Sequence, residues 1–342
     1  MLFYLQIFII TLLLSAGLTF LVMKLAKKLN ITDKPDIERK IHILETPLLG
    51  GLAIFAAFFI ILYFVHDKLS TGNLEPRHWL GFFIGACFLM LGGWLDDKYN
   101  LKPIQQIIWP LLAIASVIGG GVEIVKITNP LGGFIYLGAF SAVLIALWLL
   151  GMMYTTKLLD GLDGLVTGMT AIGSFVIFLF TMTTKYYQPD IGLAALILAA
   201  SACGFLFFNW HPAKIFLGEG GSLFLGFSLG VLAVISGGKI AVALLVMGLP
   251  ILDVAWTILR RLAEGKNPFR FADRKHLHFR LLNMGLSVRK SVLFFYAISV
   301  IFGLAALFLQ SKGKILALAG LLIIMISVVI FFAYLDRKNK VV

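Results

Sequence analysis

Long apolar stretches alternate with short polar connections along almost the whole chain. Each stretch approaches the roughly 20 residues that an α-helix needs to cross a bilayer. The pattern predicts an all-α polytopic membrane protein of about eleven transmembrane helices, and we expect residues 1–342 to form a single integral-membrane domain. The predicted helices lie at 3–26, 47–65, 79–95, 104–119, 138–154, 165–183, 191–208, 222–236, 238–258, 292–309 and 314–334.

The connection between the fourth and fifth apolar stretches has a different pattern. Residues 122–136 are too few and too broken by turn residues to span a membrane. Two short β-rich runs flank the sequence Asn129-Pro-Leu-Gly-Gly133, which has the Pro and Gly content of a turn. The sequence therefore predicts a short β-hairpin outside the bilayer.

Composition supports the membrane assignment. The chain is 60% hydrophobic and only 13% charged, with a mean hydropathy of +0.97, which excludes an ordinary soluble globular protein. The first apolar stretch is long enough to span and has no cleavage-like site behind it, so we expect it to remain as a helix. Cys87 and Cys203 lie within apolar stretches, which argues against a disulfide framework or a cysteine metal site.

The basic residues predict the orientation. Of 29 Lys and Arg residues, 22 fall in the C-terminal tail and in the connections after odd-numbered helices. By the positive-inside rule, the N-terminus lies outside and the C-terminus inside a cell inner (plasma) membrane, which places the hairpin on the extracytoplasmic side. The net charge of +12 does not indicate nucleic-acid binding, because the basic residues flank membrane helices and are mixed with carboxylates.

The acidic residues are concentrated on the same predicted face as the basic ones, although the positive-inside rule does not require this. Of 17 Asp and Glu residues, 13 fall on the predicted cytoplasmic face. Charges that merely anchor helix ends would not explain this bias of the carboxylates. We therefore expect a charged active site on the cytoplasmic face.

The sequence Asp160-Gly161-Leu-Asp163-Gly164 places two carboxylates and two glycines beside an apolar helix. If this sequence begins the helix, the two aspartates share one face and need a cation or polar ligand between them. The glycines would then let a ligand approach the backbone. The alternative is a loop with two solvated carboxylates and glycines that serve as turn residues.

Four further polar stretches fall on the same predicted face. They are Arg39–Gly51, Trp94–Asn100, Asn209–Ser222 and Asp273–Arg280. Carboxylates without cysteine ligands favour a hard divalent cation such as Mg²⁺, with Mn²⁺ as an alternative. The surplus of Lys, Arg and His favours a phosphorylated substrate. Gly218–Ser222 precedes an apolar helix, where backbone N–H groups could receive phosphate oxygens.

As a set, these motifs resemble the polyprenyl-phosphate N-acetylhexosamine-1-phosphate transferases, a family that includes phospho-N-acetylmuramoyl-pentapeptide transferase. The resemblance rests on Asp96-Asp97, Asp160-Gly-Leu-Asp163-Gly, Phe216-Leu-Gly-Glu219-Gly-Gly-Ser222 and His276-Leu-His278-Phe-Arg280, in the family's order. It implies transfer of a sugar-1-phosphate from a UDP-sugar to a polyprenyl phosphate lipid, with Mg²⁺ bound and UMP released. A homodimer is one assembly to test.

The resemblance also implies residue roles. The catalytic residues would be Asp96 and Asp97, which handle the lipid phosphate, with His276 and His278 on the diphosphate side. Glu219 would bind the metal, Asn209 and Phe216 would hold the uracil ring, and Asp163 would contact the nucleotide. The remaining expected substrate-binding residues are Lys40, His42, Asp160, Ser222, Arg274 and Arg280.

Three positions depart from the family pattern. Glu219 replaces the usual Asp and lengthens the ligand arm by one methylene group. Lys157 stands where the family usually has Asn, and Phe279 stands where many relatives have a second adjacent His. These departures bear on the metal geometry, the nucleotide contacts and the choice of sugar, respectively.

The likeness to the aminosugar branch favours UDP-N-acetylglucosamine as donor, with the muramoyl-pentapeptide donor as the alternative. Direct attack by the lipid phosphate and a two-step path through an Asp nucleophile both fit the residues. A secondary transporter is the rival from another class, but it should carry charges in mid-helix, where only Asp253 stands.

The histidine stretch allows two structures. Its apolar and basic residues would suit an amphipathic helix in the headgroup layer. If His276 and His278 both face the diphosphate, a regular helix is excluded at that point, because residues i and i+2 lie on different faces. A turn or an extended segment would then direct both rings inward.

Overall fold

The computed structural model describes residues 1–33, 45–69, 74–129, 133–183, 187–235, 239–265 and 275–338. Most of these residues form fourteen α-helices, and two short antiparallel strand pairs accompany them. The helices are α1 (Leu2–Lys28), α2 (Gly50–Phe64), α3 (Pro76–Tyr99), α4 (Pro103–Gln106), α5 (Ile108–Gly119), α6 (Phe140–Leu159), α7 (Leu165–Thr181), α8 (Pro189–Asn209), α9 (Gly218–Ile235), α10 (Ile240–Val246), α11 (Gly248–Ala263), α12 (Leu277–Asn283), α13 (Val288–Phe308) and α14 (Ser311–Lys338). The strands are β1 (Thr32–Asp33), β2 (Thr46–Pro47), β3 (Lys126–Thr128) and β4 (Phe134–Tyr136).

The helix lengths confirm a polytopic membrane protein. Within the described ranges, seven helices are long and apolar enough to cross a membrane, or eight if α10 and α11 form one bent span. Three shorter apolar helical segments also match predicted spans: α2, α7 and the α4–α5 pair. The apolar pattern therefore located most of the helices, although among the described residues fewer than the predicted eleven are long and apolar enough to span, and α12 was not predicted.

Two predicted spans are broken. The stretch at 104–119 divides at Ile107 into α4 and α5, and the stretch at 238–258 divides at Met247 into α10 and α11, which are bent by 79°. In both cases a proline, Pro110 or Pro250, follows the break by three residues. A proline lacks the N–H that would bond to the preceding turn, so the helix cannot continue straight through it.

Helix α9 is the centre of the bundle. Of its span, 83% is buried, and it packs against α2, α3 and α6. Glycines allow the closest approaches, because a Cβ on Gly221 would overlap Gly51 of α2, and one on Gly93 of α3 would overlap Gly220. Such backbone contact is typical of helices packed within a membrane. It brings the start of α9 against the end of α3.

The predicted β-hairpin between α5 and α6 is confirmed. Strands β3 and β4 pair antiparallel, with Lys126 opposite Tyr136 and Ile127 opposite Ile135. Strands β1 and β2 pair antiparallel just before α2 and form a second small hairpin, which the sequence did not predict.

Candidate active site

The aspartate doublet lies in the last turn of α3, where each carboxylate has a different partner. Asp97 accepts hydrogen bonds from the backbone N–H of Glu219, at 3.1 Å to Oδ1 and 3.3 Å to Oδ2. Gly218 makes this approach possible, because its φ is +72° and a Cβ there would lie 2.5 Å from Asp97 Oδ2. Asp97 thus faces the positive end of the α9 dipole, which stabilises a carboxylate.

Asp96 is bound to the connection after α3. Its Oδ1 accepts from the backbone N–H of Leu101 at 2.7 Å and from Nε2 of Gln106 at 3.1 Å. These bonds hold the α3–α4 turn in place. The structure therefore separates two adjacent aspartates that the sequence treats alike: Asp96 fastens the turn, and Asp97 faces α9.

A lysine connects the doublet to Glu219. The Lys157 ammonium forms an ion pair with Glu219 Oε1 and donates a hydrogen bond of 3.1 Å to Gln106 Oε1, whose amide in turn donates to Asp96. The side chains of Lys157 and Glu219 are 22% and 18% exposed, so the ion pair is largely shielded from solvent. We call Asp96, Asp97, Lys157 and Glu219 the acidic half of the site.

An apolar cavity of about 240 Å³ opens beside Asp97. Apart from the Asp97 carboxylate, its lining is apolar or glycine. The lining residues are Leu49, Leu52, Met90, Leu91, Trp94, Asp97, Leu217, Gly220 and Gly221. A cavity of this kind suits an apolar chain that ends in a charged group.

Asp160 and Asp163 do not begin a helix, so of the two alternatives the structure favours a loop with glycines as turn residues over a shared helical face. Helix α6 ends at Leu159 and α7 begins at Leu165, so both aspartates lie in the turn between them. The positive φ of Gly164, +79°, closes this turn. Asp163 Oδ2 accepts from Nδ1 of His211 at 2.6 Å and from the backbone N–H of Ala213 at 3.0 Å. Asp160 is exposed.

Asn209 is buried behind the same turn. Its side-chain oxygen accepts from the Gly164 N–H at 3.1 Å and the Thr167 hydroxyl at 2.9 Å, and its amide donates to the Ile215 carbonyl at 3.0 Å. These bonds tie the α6–α7 turn to the segment before α9. The predicted contact of Asn209 with uracil stays a prediction.

Phe216 and Ser222 also help to form this framework. The Phe216 backbone N–H donates to the Pro47 carbonyl and its carbonyl accepts from the Gly50 N–H, both at 2.9 Å. The buried Ser222 hydroxyl donates to the Glu219 carbonyl at 3.0 Å, inside the first turns of α9. Substrate contacts for both residues remain predictions.

The histidine stretch begins with a buried hydrogen-bonded pair, His276 and Asp253. His276 precedes α12 in an extended conformation, and its Nδ1 lies 2.9 Å from Oδ2 of Asp253 on α11. The other oxygen of Asp253 accepts from the Leu277 N–H at 2.9 Å. Only 4% of His276 and 3% of Asp253 are exposed. The described part of the stretch is therefore packed into the protein: His276 is extended, as the turn alternative predicts, but His278 lies in the short helix α12. Residues 269–274 of the stretch lie outside the described ranges.

His278 lies inside the site with unused hydrogen-bonding capacity. Its ring stacks on His276, with centroids 5.6 Å apart and planes 9° apart, and neither ring nitrogen has a hydrogen-bond partner among the described residues. A Cβ on Gly161 would lie 2.6 Å from its Nε2, so the ring directly adjoins the α6–α7 turn. Complete burial lowers the pKa of His278 to about 4. We call Asp253, His276 and His278 the histidine half.

The remaining predicted residues divide into two groups. Arg280 donates from Nε to the Lys275 carbonyl at 3.0 Å, and its guanidinium lies 5.0 Å from the ring centroid of Phe332 on α14. It therefore points toward α14. The predicted residues Lys40, His42 and Arg274 lie outside the described ranges.

Sequence reasoning missed three residues of the site. Gln106 and His211 carry no signal that distinguishes them from other polar residues in connections. Asp253 did carry a signal, because burial of an ionisable residue within an apolar helix costs free energy unless a partner compensates it. Its partner, His276, lies 23 positions away in sequence.

Comparisons with known proteins extend the resemblance over most of the chain. A family described as glycosyl transferase family 4 matches residues 79–237. A Bacillus subtilis protein named as a probable undecaprenyl-phosphate N-acetylglucosaminyl 1-phosphate transferase is 34% identical over 326 residues. That alignment covers 93% of this chain and 88% of the relative.

Two further relatives carry different names. A Mycolicibacterium smegmatis decaprenyl-phosphate N-acetylglucosaminephosphotransferase is 29% identical, over 88% of this chain and 81% of its own length. A Halalkalibacterium halodurans phospho-N-acetylmuramoyl-pentapeptide-transferase is 30% identical, over 78% of this chain and 83% of its own length.

Proposed function

Because the chain belongs to glycosyl transferase family 4, we propose that it transfers N-acetylglucosamine-1-phosphate from UDP-N-acetylglucosamine to a polyprenyl phosphate such as undecaprenyl phosphate. The products are a polyprenyl-diphosphate sugar and UMP. This reaction would be the first membrane step of a cell-envelope glycan. The observation that carries the proposal is the 34% identity to the Bacillus subtilis relative over 93% of the chain.

The sugar assignment rests on two of the relatives. The two named for N-acetylglucosamine transfer align with 93% and 88% of this chain, whereas the muramoyl-pentapeptide relative aligns with 78%. The muramoyl-pentapeptide donor is therefore the alternative that the experiment must include.

The apolar cavity supports a lipid acceptor. A polyprenyl chain could enter between α2, α3 and α9, with its phosphate at Asp97, the charged residue of the lining. A lipid monophosphate is mostly dianionic near neutral pH, since its second pKa is about 6. The attacking oxygen therefore needs little deprotonation. Asp97 would orient the phosphate and remove any residual proton.

In direct transfer, a lipid phosphate oxygen forms a bond to the phosphorus that carries the sugar. The bond from that phosphorus to the UMP oxygen breaks, and UMP leaves with the electron pair. Asp96 would hold the turn that positions Asp97. In the two-step alternative, an Asp97 carboxylate oxygen first bonds to the phosphorus that carries the sugar as UMP leaves, and a lipid phosphate oxygen then attacks that phosphorus and releases the carboxylate.

The acidic half fits a divalent cation in its donor chemistry. Asp97 and Asp160 both lie within electrostatic range of Glu219, and carboxylate oxygens are the ligands that Mg²⁺ prefers. No three-ligand arrangement of His, Cys, Asp or Glu occurs among the described side chains, and the Lys157 ammonium contacts Glu219 instead. We propose Glu219 as the principal Mg²⁺ ligand, with Mn²⁺ as a substitute. When bound, the cation would reduce repulsion between the two phosphate groups.

The histidine half would serve the nucleotide-sugar. A neutral imidazole offers one N–H donor and one acceptor, and among the residues that the structure describes neither nitrogen of His278, beside the Asp160–Asp163 turn, has a partner. His276 is held by Asp253 and supports the His278 ring from behind. Asp163, Asn209 and Phe216 would also help to shape the nucleotide pocket.

The helices support an eleven-span topology. The seven long helices, the bent α10–α11 pair and the three shorter apolar segments together give that number. An odd number of spans with the basic residues on one face supports a topology in which the N-terminus would lie outside and the site in the cytoplasm.

Product mass tests the proposal. Purified protein receives undecaprenyl phosphate and, separately, UDP-N-acetylglucosamine, UDP-N-acetylgalactosamine or UDP-N-acetylmuramoyl-pentapeptide. We expect UMP release and a lipid-diphosphate-N-acetylglucosamine product with the first donor. A muramoyl-pentapeptide product alone would establish the alternative, and absence of a lipid product with every donor would contradict the transferase.

A further inference from the structure

Lys157 occupies the place beside Glu219 that a bound cation needs. Its ammonium contacts Oε1 of Glu219 and donates to Gln106 at 3.1 Å. An ammonium and a divalent cation cannot both contact the same carboxylate oxygen from the same side. The ion pair is therefore a competitor for the cation that the proposed function assigns to Glu219.

The surrounding charges explain why a resident cation is needed. Glu219, whose side chain is 18% exposed, lies within electrostatic range of Asp96, Asp97 and Asp160, so four carboxyl groups converge on this site. Like charges this close repel unless a cation sits among them. Lys157 is tethered to α6 and thus supplies that cation at high effective concentration.

The length of the two side chains makes the contact possible. Glu219 and Lys157 are two of the three positions where the sequence departs from its family pattern, and the structure brings them together. Glu is one methylene longer than Asp, and Lys has a flexible four-carbon stem that can swing away from its partner. The pair can therefore open without movement of α6 or α9.

We propose that Lys157 is the resident counter-ion of Glu219 and that a divalent cation binds by displacing its ammonium. The inference rests on the proposed metal ligand but not on the identity of the sugar. It predicts that removing the lysine charge tightens cation binding.

The experiment measures Mn²⁺ binding directly, by the electron paramagnetic resonance signal of free Mn²⁺ titrated with the purified full chain in nanodiscs. Lys157→Met should bind Mn²⁺ at least tenfold more tightly than the unmodified protein. Lys157→Gln should do the same while it retains a hydrogen bond donor. Lys98→Met is the matched control, because the Lys98 ammonium lies on the same face but over the rings of Trp94 and Tyr99. It should change the affinity less than twofold.

Thermal unfolding gives a second measurement. The rise in melting temperature from chelator to saturating Mn²⁺ should be larger in Lys157→Met, because the form without cation has lost its counter-ion. Unchanged or weaker Mn²⁺ binding in both folded Lys157 variants would overturn the competition. If no form of the protein binds Mn²⁺, the proposed metal ligand fails too, whereas the transferase proposal is judged separately by product mass.

Discussion

The acidic half and the histidine half are built in opposite ways. The acidic half collects charged groups from the ends of α3, α6 and α9, and its aspartates Asp96 and Asp97 are only partly buried. The histidine half is almost fully buried, with one hydrogen-bonded Asp–His pair and one uncharged ring. The first arrangement suits ions and phosphates that bring their own charge. The second suits directional hydrogen bonds to a substrate that must be recognised.

The largest expected effect is on Asp97. Asp97→Asn should lower UMP release by at least about 100-fold, because the amide cannot take up the residual proton of the lipid phosphate, while the helix end stays folded. UMP release at equal expression provides the measurement, with exposed Asp67→Asn as the matched control. Near-normal rates in both Asp97→Asn and Asp96→Asn would remove the doublet from catalysis.

Glu219→Gln should have the next largest effect. Activity should disappear with chelator and return with Mg²⁺ or Mn²⁺, and the variant should need a higher metal concentration, because an amide is a weaker ligand than a carboxylate. Titration of the rate with Mg²⁺ checks this. Normal metal dependence in both Glu219→Gln and Glu219→Ala would transfer the ion to Asp160 and Asp163.

The histidine half should be less sensitive than the acidic half. His276→Ala and His278→Ala should each reduce activity about tenfold or more, since each loses a positioned hydrogen-bonding group. Lys290→Ala, which is equally basic but lies on α13 beyond the motif, and exposed His66→Ala should stay near normal. Equal small effects in all four variants would leave the histidines without a role in turnover.

The smallest effect concerns pH and stability. The pKa of His278 is about 4 in the folded protein compared with an ordinary 6.5, so protonation favours the unfolded chain, and stability falls as pH drops below 6.5. Between pH 7 and pH 5 this histidine should cost about 2 kcal/mol of folding free energy. Melting temperatures of His278→Leu should fall less over that range than those of the unmodified protein. Parallel curves would show that His278 does not titrate in this way.

The sequence predicted those parts of the structure that depend on local composition. Apolar stretches gave the helices because the bilayer requires their length, and the turn residues gave the β3–β4 hairpin. The sequence left the Asp160–Asp163 stretch open between a helix start and a loop, because its actual course depends on Asn209 and His211, which lie more than 40 positions away. The motif order indicated which side chains converge. It could not separate Asp96 from Asp97, whose different partners arise from tertiary packing.

The paired glycines at Gly51–Gly221 and Gly93–Gly220 have a consequence for the enzyme's tolerance of its surroundings. They set the spacing of α2, α3 and α9 by direct contact of main chains, with no flexible side chain between them. Changes in lipid composition or temperature alter side-chain packing at the periphery far more readily than such contacts. We therefore expect the distance from Asp97 to the start of α9 to stay constant as the membrane stiffens or thins, so that the reaction geometry is independent of membrane fluidity.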